Sequence, residues 1–443
     1  MRRLGLVALA VLALAALAAG GTGTWAAFSS TTSNGPGSFS SAPDWTAPSV
    51  TASVIAHSSS GPGVKASGTY AVYANVTDTG NPASGVSTVT ANVSSVTTGQ
   101  TAVALTACSS GCTVGGVTYG YKSATLTGNS TLTGGSSINY TVTPADAAGN
   151  AGSAQTFSVT VDNTLPTGLA SVATHATAGA RIKAGGTYYV YANATDAGSG
   201  IDTVTANVNV LTAGQTAVPL TACSSSCTVA GTTYAYKSAS LTADSAVTAG
   251  SKTYTSTATD AAGNATAATS FTATVDNTAP SASAVATANH AGGTAGKPEL
   301  SDTVTLTFSE QMDPNTILSG WSGSSTPIVV RIANAGGAAH DFVTFWNSAN
   351  TTQLTTLGNI DLGRAGYVNM GATITFGASG TASTMVQSGS AVTITLGTPS
   401  TTANTVTNTT TMIWNSSSTP ADLAGNLATG NARTEGGTTD AEF

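Results

Sequence analysis

Through most of the chain, apolar residues recur at every second position. Phe157, Val159 and Val161 alternate with Ser158 and Thr160, and Phe271, Ala273 and Val275 alternate with Thr272 and Thr274. Val204, Ala206, Val208 and Val210 are spaced by Thr and Asn, and Val304, Leu306 and Phe308, like Val392, Ile394 and Leu396, by Thr. A period of two places one face of a strand in a core and the other in water. Thr, branched at Cβ, favours the extended backbone. Short strands at regular spacing, separated by turns rich in Gly, Asn and Ser, predict antiparallel sandwiches. After the first nineteen residues no segment carries a sustained helical stripe.

Those first residues break the pattern. Arg2 and Arg3 precede an uncharged Ala/Leu/Val stretch from Leu4 to Ala19, 16 residues long. That is shorter than the roughly 20 residues of a bilayer span and runs into small residues, as an export leader does. The Gly23-Thr24-Trp25-Ala26-Ala27-Phe28 stretch that follows resembles the start of the TasA and camelysin-type matrix proteins of Gram-positive bacteria. The resemblance implies cleavage after Ala26 and a mature chain starting at Ala27. Loss of the two arginines would move the net charge from −7 to −9.

The body of the chain repeats itself. Residues 44–70 align without a gap on residues 162–188, with 13 of 27 positions identical. The correspondence continues through GTYAVYANVTD and GTYYVYANATD, the cysteine segments, DAAGN and VDNT. Asp-x-Thr-x-Pro punctuates the chain at Asp44, Asp162 and Asp276, and Pro stiffens such a joint. The predicted organisation is a signal peptide over 1–26, an N-terminal segment over 27–43, duplicate modules over 44–161 and 162–275, a diverged module over 276–430, and a tail over 431–443.

TD-x-G-S-G, VTANV, TDAAGN and VDNTAP, in that order, resemble the bacterial immunoglobulin-like (Big-type) repeats of surface proteins. The third module resembles another branch of that group, opening with SDTVTLTFSEQMD (Ser301–Asp313) and closing with ADLAGN (Ala421–Asn426). The first module departs by an insertion after Asp78 and by Pro144 before its ADAAGN. The implied fold is a series of tandem immunoglobulin-like β-sandwiches.

Composition narrows the function. Charged residues make up 7% of the chain, against about 25% in an ordinary globular protein. With 12 basic and 19 acidic residues and no run of either sign, a surface that tracks nucleic-acid phosphates is excluded. Cys108 with Cys112, and Cys223 with Cys227, form matched C-x-x-x-C pairs. In an exported chain these are expected as two local structural disulfides that fix a hairpin tip.

Within so uncharged a chain, carboxylates recur at matched places: Asp44, Asp78 and Asp146 in the first module, Asp162, Asp196 and Asp260 in the second. Asp276, Asp422 and Glu310 are the counterparts in the third. Two readings account for them. Asp and Asn bond their own backbone in turns, with Gly149, Gly263 and Gly425 supplying positive φ. Alternatively, sandwich topology brings the three loops of each set to one pole, where converging carboxylates make a Ca²⁺ site at each joint. The Big-type resemblance implies the same ion.

Tyr119/Tyr121 and Tyr234/Tyr236 are spaced to share a strand face, with Lys122 and Lys237 opposite. Trp321, Trp346 and Trp414 are the better candidates for an exposed binding surface, against the reading that large aromatics bury their area in a core. His57 and His175 correspond through the duplication, and His290 and His340 have no partner motif. Glu310 and Asp313 match the strand-end turn of the resembled repeat, and no catalytic motif is present. The sequence therefore predicts an exported, non-enzymatic rod of tandem modules at the cell surface, whose partners are other surface proteins, itself or extracellular glycans. No membrane span remains once the signal is removed. The alternatives are a biofilm-matrix subunit assembling by addition of the 27–41 strand, and a polysaccharide-binding protein.

Overall fold

The computed structural model describes residues 44–334, 340–437 and 441–443. The predicted export leader, its expected cleavage point and the 27–41 segment lie outside them. Among the described residues the chain is nearly all-β, with two single helical turns, and is built from three main sheets. The first runs, in spatial order, Ser49–Ala56, Thr69–Thr77, Tyr121–Ser123, Val103–Ala107, Val86–Asn92, Ser137–Asp146 and Gln155–Thr160. The second repeats that order with Thr167–Thr174, Thr187–Thr195, Tyr236–Ser238, Val218–Ala222, Ile201–Asn207, Gly250–Asp260 and Thr269–Val275. The third, from Ala282–Ala288 to Ala432–Thr434, holds ten strands, the last of which falls in the segment expected as a tail. Phe443 is buried in the core of the third sheet, edge-on to Tyr367.

Alternation explains the cores. Tyr140 and Val142 on one strand and Val159 on its partner face inward with Val89, Ala91 and Leu105. The third core is larger and more aromatic, with Phe308, Phe345, Phe376, Tyr367 and Trp414 essentially inaccessible.

Both cysteine pairs are disulfide-bonded, with Cα–Cα separations of 6.0 Å. Each staples the approach to a small hairpin, Thr113–Val114 with Val117–Thr118 in the first copy. Val114 and Tyr119 in that region cover Ala56, Ala71 and Tyr73 on the outer face of the sheet. The tyrosine expectation is corrected here. Tyr119 joins this outer cluster, whereas Tyr121 packs against the main core. The strand is interrupted at Gly120, whose amide donates to Asn75 Oδ1, so the period of two does not carry across. Lys122 lies over the Tyr73 ring, 5.1 Å from its centroid.

By compactness the chain forms two units. Among the described residues, one comprises 44–167 with Thr195–Asp202 and Thr259–Thr266, and the other the remainder. The pole loops of the second sheet thus belong with the first module, for a reason visible at the joint.

Candidate metal centres at the module joints

Three groups of carboxylates have ligand atoms within 4.8 Å of one another: Asp44/Asp78/Asp146, Asp162/Asp196/Asp260 and Asp276/Glu310/Asp422. The first two are assembled from the punctuation before a first strand, the residue that follows an early strand, and the last residue of a late strand; in the third, Glu310 follows the Thr303–Phe308 strand and Asp422 lies in the Ala421–Asn426 turn.

The middle group shows how this is done. Asp162 Oδ1 accepts from the Thr164 amide (3.0 Å), and its Oδ2 accepts from both the amide and the hydroxyl of Ser199 (2.7 Å each). Asp260, fully buried, accepts from the Asn264 amide (2.8 Å) and side chain (2.7 Å). The same Asn264 Nδ2 donates to the Asp162 carbonyl at 2.9 Å, tying loop to punctuation. Asp196 Oδ2 accepts from the Gly198 and Gly200 amides at 3.0 and 2.7 Å. Its other oxygen, Oδ1, is buried and has no hydrogen-bond partner among the described residues. A Cβ at Gly198 would sit 2.3–2.6 Å from the Asp162 carboxylate, so only glycine fits there.

Electrostatics follow from this packing. Burial, and then the charges of Asp162 and Asp196, raise the Asp260 carboxyl above its usual range, against the hydrogen bonds from Asn264. For Asp162 burial acts upward, but the bonds from Ser199 and Thr164 outweigh it and hold the group low.

The first group repeats the design. Asp44 accepts from the Thr46 and Ser84 amides at 2.9 and 2.8 Å, bonds that hold its carboxyl low. Asn150 plays the part of Asn264, with Nδ2 donating to Asp146 Oδ2 and to the Asp44 carbonyl. In the third group Asn426 does the same for Asp422 and Asp276, but Glu310 replaces the early-strand Asp. A cation of the chain's own, Arg181, reaches Asp276 at 3.3 Å. Asp313 stands apart as the cap of a single helical turn, accepting from the Asn315 amide.

Burial, followed by the charges of Asp276 and Asp422, pushes the Glu310 carboxyl up to about 7 from an ordinary 4.5. The folded state therefore holds this proton more tightly than the unfolded chain does. That contribution to stability is complete below about pH 4.5 and is lost as pH rises through about 7. In chelator, the melting temperature of the third module should be lower at about pH 8 than at about pH 5, and Glu310→Gln should abolish this difference. Equal pH dependence in the variant would show that Glu310 does not set it.

The duplication also concealed a second feature of the joint. His57 Nδ1 donates to the Thr69 carbonyl at 2.8 Å, which orients the ring onto the Ala261-Ala262-Gly263 loop. A Cβ on Gly263 would lie 2.8–3.0 Å from three ring atoms, so the imidazole rests flat against the loop backbone. Lys65 Nζ donates to the Gly263 carbonyl. His175 and Lys183 hold Gly425 in the same way, with His175 Nδ1 donating to the Thr187 carbonyl. The sequence signal was the shared His-x₇-Lys spacing of His57/Lys65 and His175/Lys183, which reads as shared ancestry until the loop it grips is seen.

The three tryptophans of the third module do not form an exposed surface. Trp414 is fully buried and Trp321 only 6% exposed, while Trp346 is half-buried beneath the Arg331 guanidinium, 3.4 Å from its centroid. Large rings gain more from filling the third core than from facing water.

No family model matches the chain, and no curated protein matches it. Among solved structures, the fibronectin(III)-like modules of Clostridium thermocellum CbhA align over 52% of this chain and 94% of their own, at 16% identity and a TM-score of 0.26. The FN1–FN3 domains of chicken CNTN1 align over 82% of this chain and 99% of theirs, at 9% identity and a TM-score of 0.21. The class, a tandem immunoglobulin-like β-sandwich protein, stands on the strand order and pairing described above.

Proposed function

We propose that this chain is a non-enzymatic protein of the cell exterior, in which tandem sandwiches are locked at their joints by Ca²⁺ and serve as a stiff spacer for adhesion. The observation that carries the reading is the Asp162/Asp196/Asp260 group. Three carboxylates converge there, two of them almost inaccessible, and one buried oxygen has no donor among the described residues. A hard cation with oxygen ligands supplies what that oxygen lacks, and carbonyls and waters complete its shell. The matched groups at Asp44/Asp78/Asp146 and Asp276/Glu310/Asp422 extend the scheme, the latter more weakly because Arg181 already neutralises part of its charge. Two disulfides suit an oxidising compartment. No helix among the described residues is long and apolar enough to cross a membrane.

Calorimetric melting in calcium and in chelator tests this. Saturation at about 100 times the dissociation constant stabilises a site by about 2.7 kcal/mol, so the transitions should move upward with calcium. Asp196→Asn should remove the shift belonging to the middle joint. Superimposable melts in calcium and chelator would overturn the proposal.

A further inference from the structure

The third module carries the gripping pair as well. His290 and Lys297 stand seven residues apart, where His57/Lys65 and His175/Lys183 stand eight apart. The structural frame matches too. The residue before each lysine meets the end of a closing segment: Val64 bridges Val161, Ile182 pairs with Val275, and the Gly296 amide donates to the Phe443 carbonyl. His290 is oriented by Asp302, Nδ1 to Oδ1 at 2.7 Å, in the role that the Thr69 carbonyl plays for His57. Together His290, Lys297, Pro298 and Leu300 line a cavity of about 540 Å³. Lys297 is held at its rim by Glu299, at 2.7 Å.

What such a socket takes is visible twice in the chain. Ala261 and Ala262 are at most 1% exposed in the grip of His57 and Lys65, and Leu423 and Ala424 at most 4% exposed in that of His175 and Lys183. The corresponding loop of the first module, Ala147-Ala148-Gly149, is exposed, and among the described residues nothing lies within 4 Å of a Cβ built on Gly149. One socket and one plug of the same kind are therefore unpaired among the described residues.

A second observation matches them to each other. In the internal joints the residue after the punctuation Asp is Asn163 or Asn277. Its side-chain oxygen accepts from the amide of the residue after the socket lysine, Ala66 or Ala184 (2.8 Å each). In the third socket that residue is Pro298, which has no amide hydrogen to give. On the first module the matching plug residue is Trp45, 66% exposed. Loss of the donor coincides with replacement of the acceptor by an aromatic ring, and Leu300, 41% exposed, adds apolar surface beside Pro298. An exposed Trp facing Pro and Leu is the composition of an interface anchor.

We propose that the pole of the third module binds the Trp45 and Ala147–Asn150 face of the first module of a second copy, repeating between molecules the joint made twice within one. Such a contact is heterologous: each copy keeps one free socket and one free plug, so association continues until a ring closes. The patch is small, which places it among weak, concentration-dependent interfaces. It rests on the geometry of the grip and not on the ion, and so should persist in chelator.

The test is sedimentation of the full chain, collected after secretion from its own leader, in chelator. The weight-average mass should rise about two-fold or more between ~5 and ~500 µM. Trp45→Ala and Leu300→Glu alter exposed side chains and should leave melting unchanged, and each alone should hold the protein monomeric. Mixed in equal amounts, the two variants should form dimers and nothing larger, because each retains one competent end. A mass independent of concentration would overturn the proposal. So would association that survives either variant, or variants that fail to complement when mixed, since these outcomes point to another surface or another occupant.

Discussion

Gly263→Ala and Gly425→Ala should each destabilise their unit far more than Gly149→Ala does. All three glycines sit at φ between 88° and 97°, in the left-handed region where a side chain costs about 1–2 kcal/mol. For Gly149 that is the whole effect, because among the described residues its Cβ would meet nothing within 4 Å. At Gly263 and Gly425 the new methyl would enter the face of His57 or His175, at 2.8–3.1 Å from ring atoms. The ring cannot simply step aside, since its Nδ1 is anchored on a strand carbonyl. Overpacking of this kind adds about 1–3 kcal/mol, and displacing the loop also breaks the bond from Lys65 or Lys183 to its carbonyl. Calorimetry of the three variants measures the difference. His57→Ala combined with Gly263→Ala should cost less than the two separate losses summed, because removing the ring makes room for the methyl. Equal destabilisation at all three glycines would mean that the imidazoles bear no load at the joints.

How much of this was legible beforehand depended on the range of each signal. The strands were readable because alternation is local: Phe157, Val159 and Val161 need only a neighbouring sheet to make their pattern meaningful. The acidic groups were readable as sets because the duplication marked them. Their convergence also required a topology that places the loops before the first strand and after the late strand at one pole. Asn150, Asn264 and Asn426, which tie those loops together, passed for turn residues. The reading failed where geometry is set by a break or by a distant partner. Gly120 interrupts its strand and turns Tyr119 away from Tyr121. His57 and Lys65 act on a loop about 200 residues further along the chain, a separation that no local period registers. The tryptophans stayed open between two readings for a related reason, since composition alone does not distinguish a ring that fills a core from one that waits for a sugar.

The third module offers the sharpest contrast between those two roles. Trp414→Ala should abolish its cooperative melting transition. The ring is fully buried on the Ile413–Asn415 strand, edge-on to Phe308 with centroids 5.0 Å apart and planes at 83°. Its Nε1 donates to the Leu357 carbonyl at 2.7 Å. Truncating a core Trp costs about 3–5 kcal/mol through lost transfer energy and the cavity left behind. Leaving a buried carbonyl without its donor adds about 1–3 kcal/mol. Against a domain stability of about 5–15 kcal/mol this is most of the reserve. Trp346→Ala, which removes a half-buried ring and its stack with Arg331, should cost only about 0.5–2 kcal/mol from that contact. Thermal melts followed by near-ultraviolet circular dichroism separate the two. Trp414→Phe keeps the edge contact but not the donor, and should fall between them. A glycan platform would reverse the order, with Trp414→Ala folding normally and failing only to bind. If Trp414→Ala melts within about 1 kcal/mol of the parent, the ring is not the keystone of this core, and the sugar-binding reading returns.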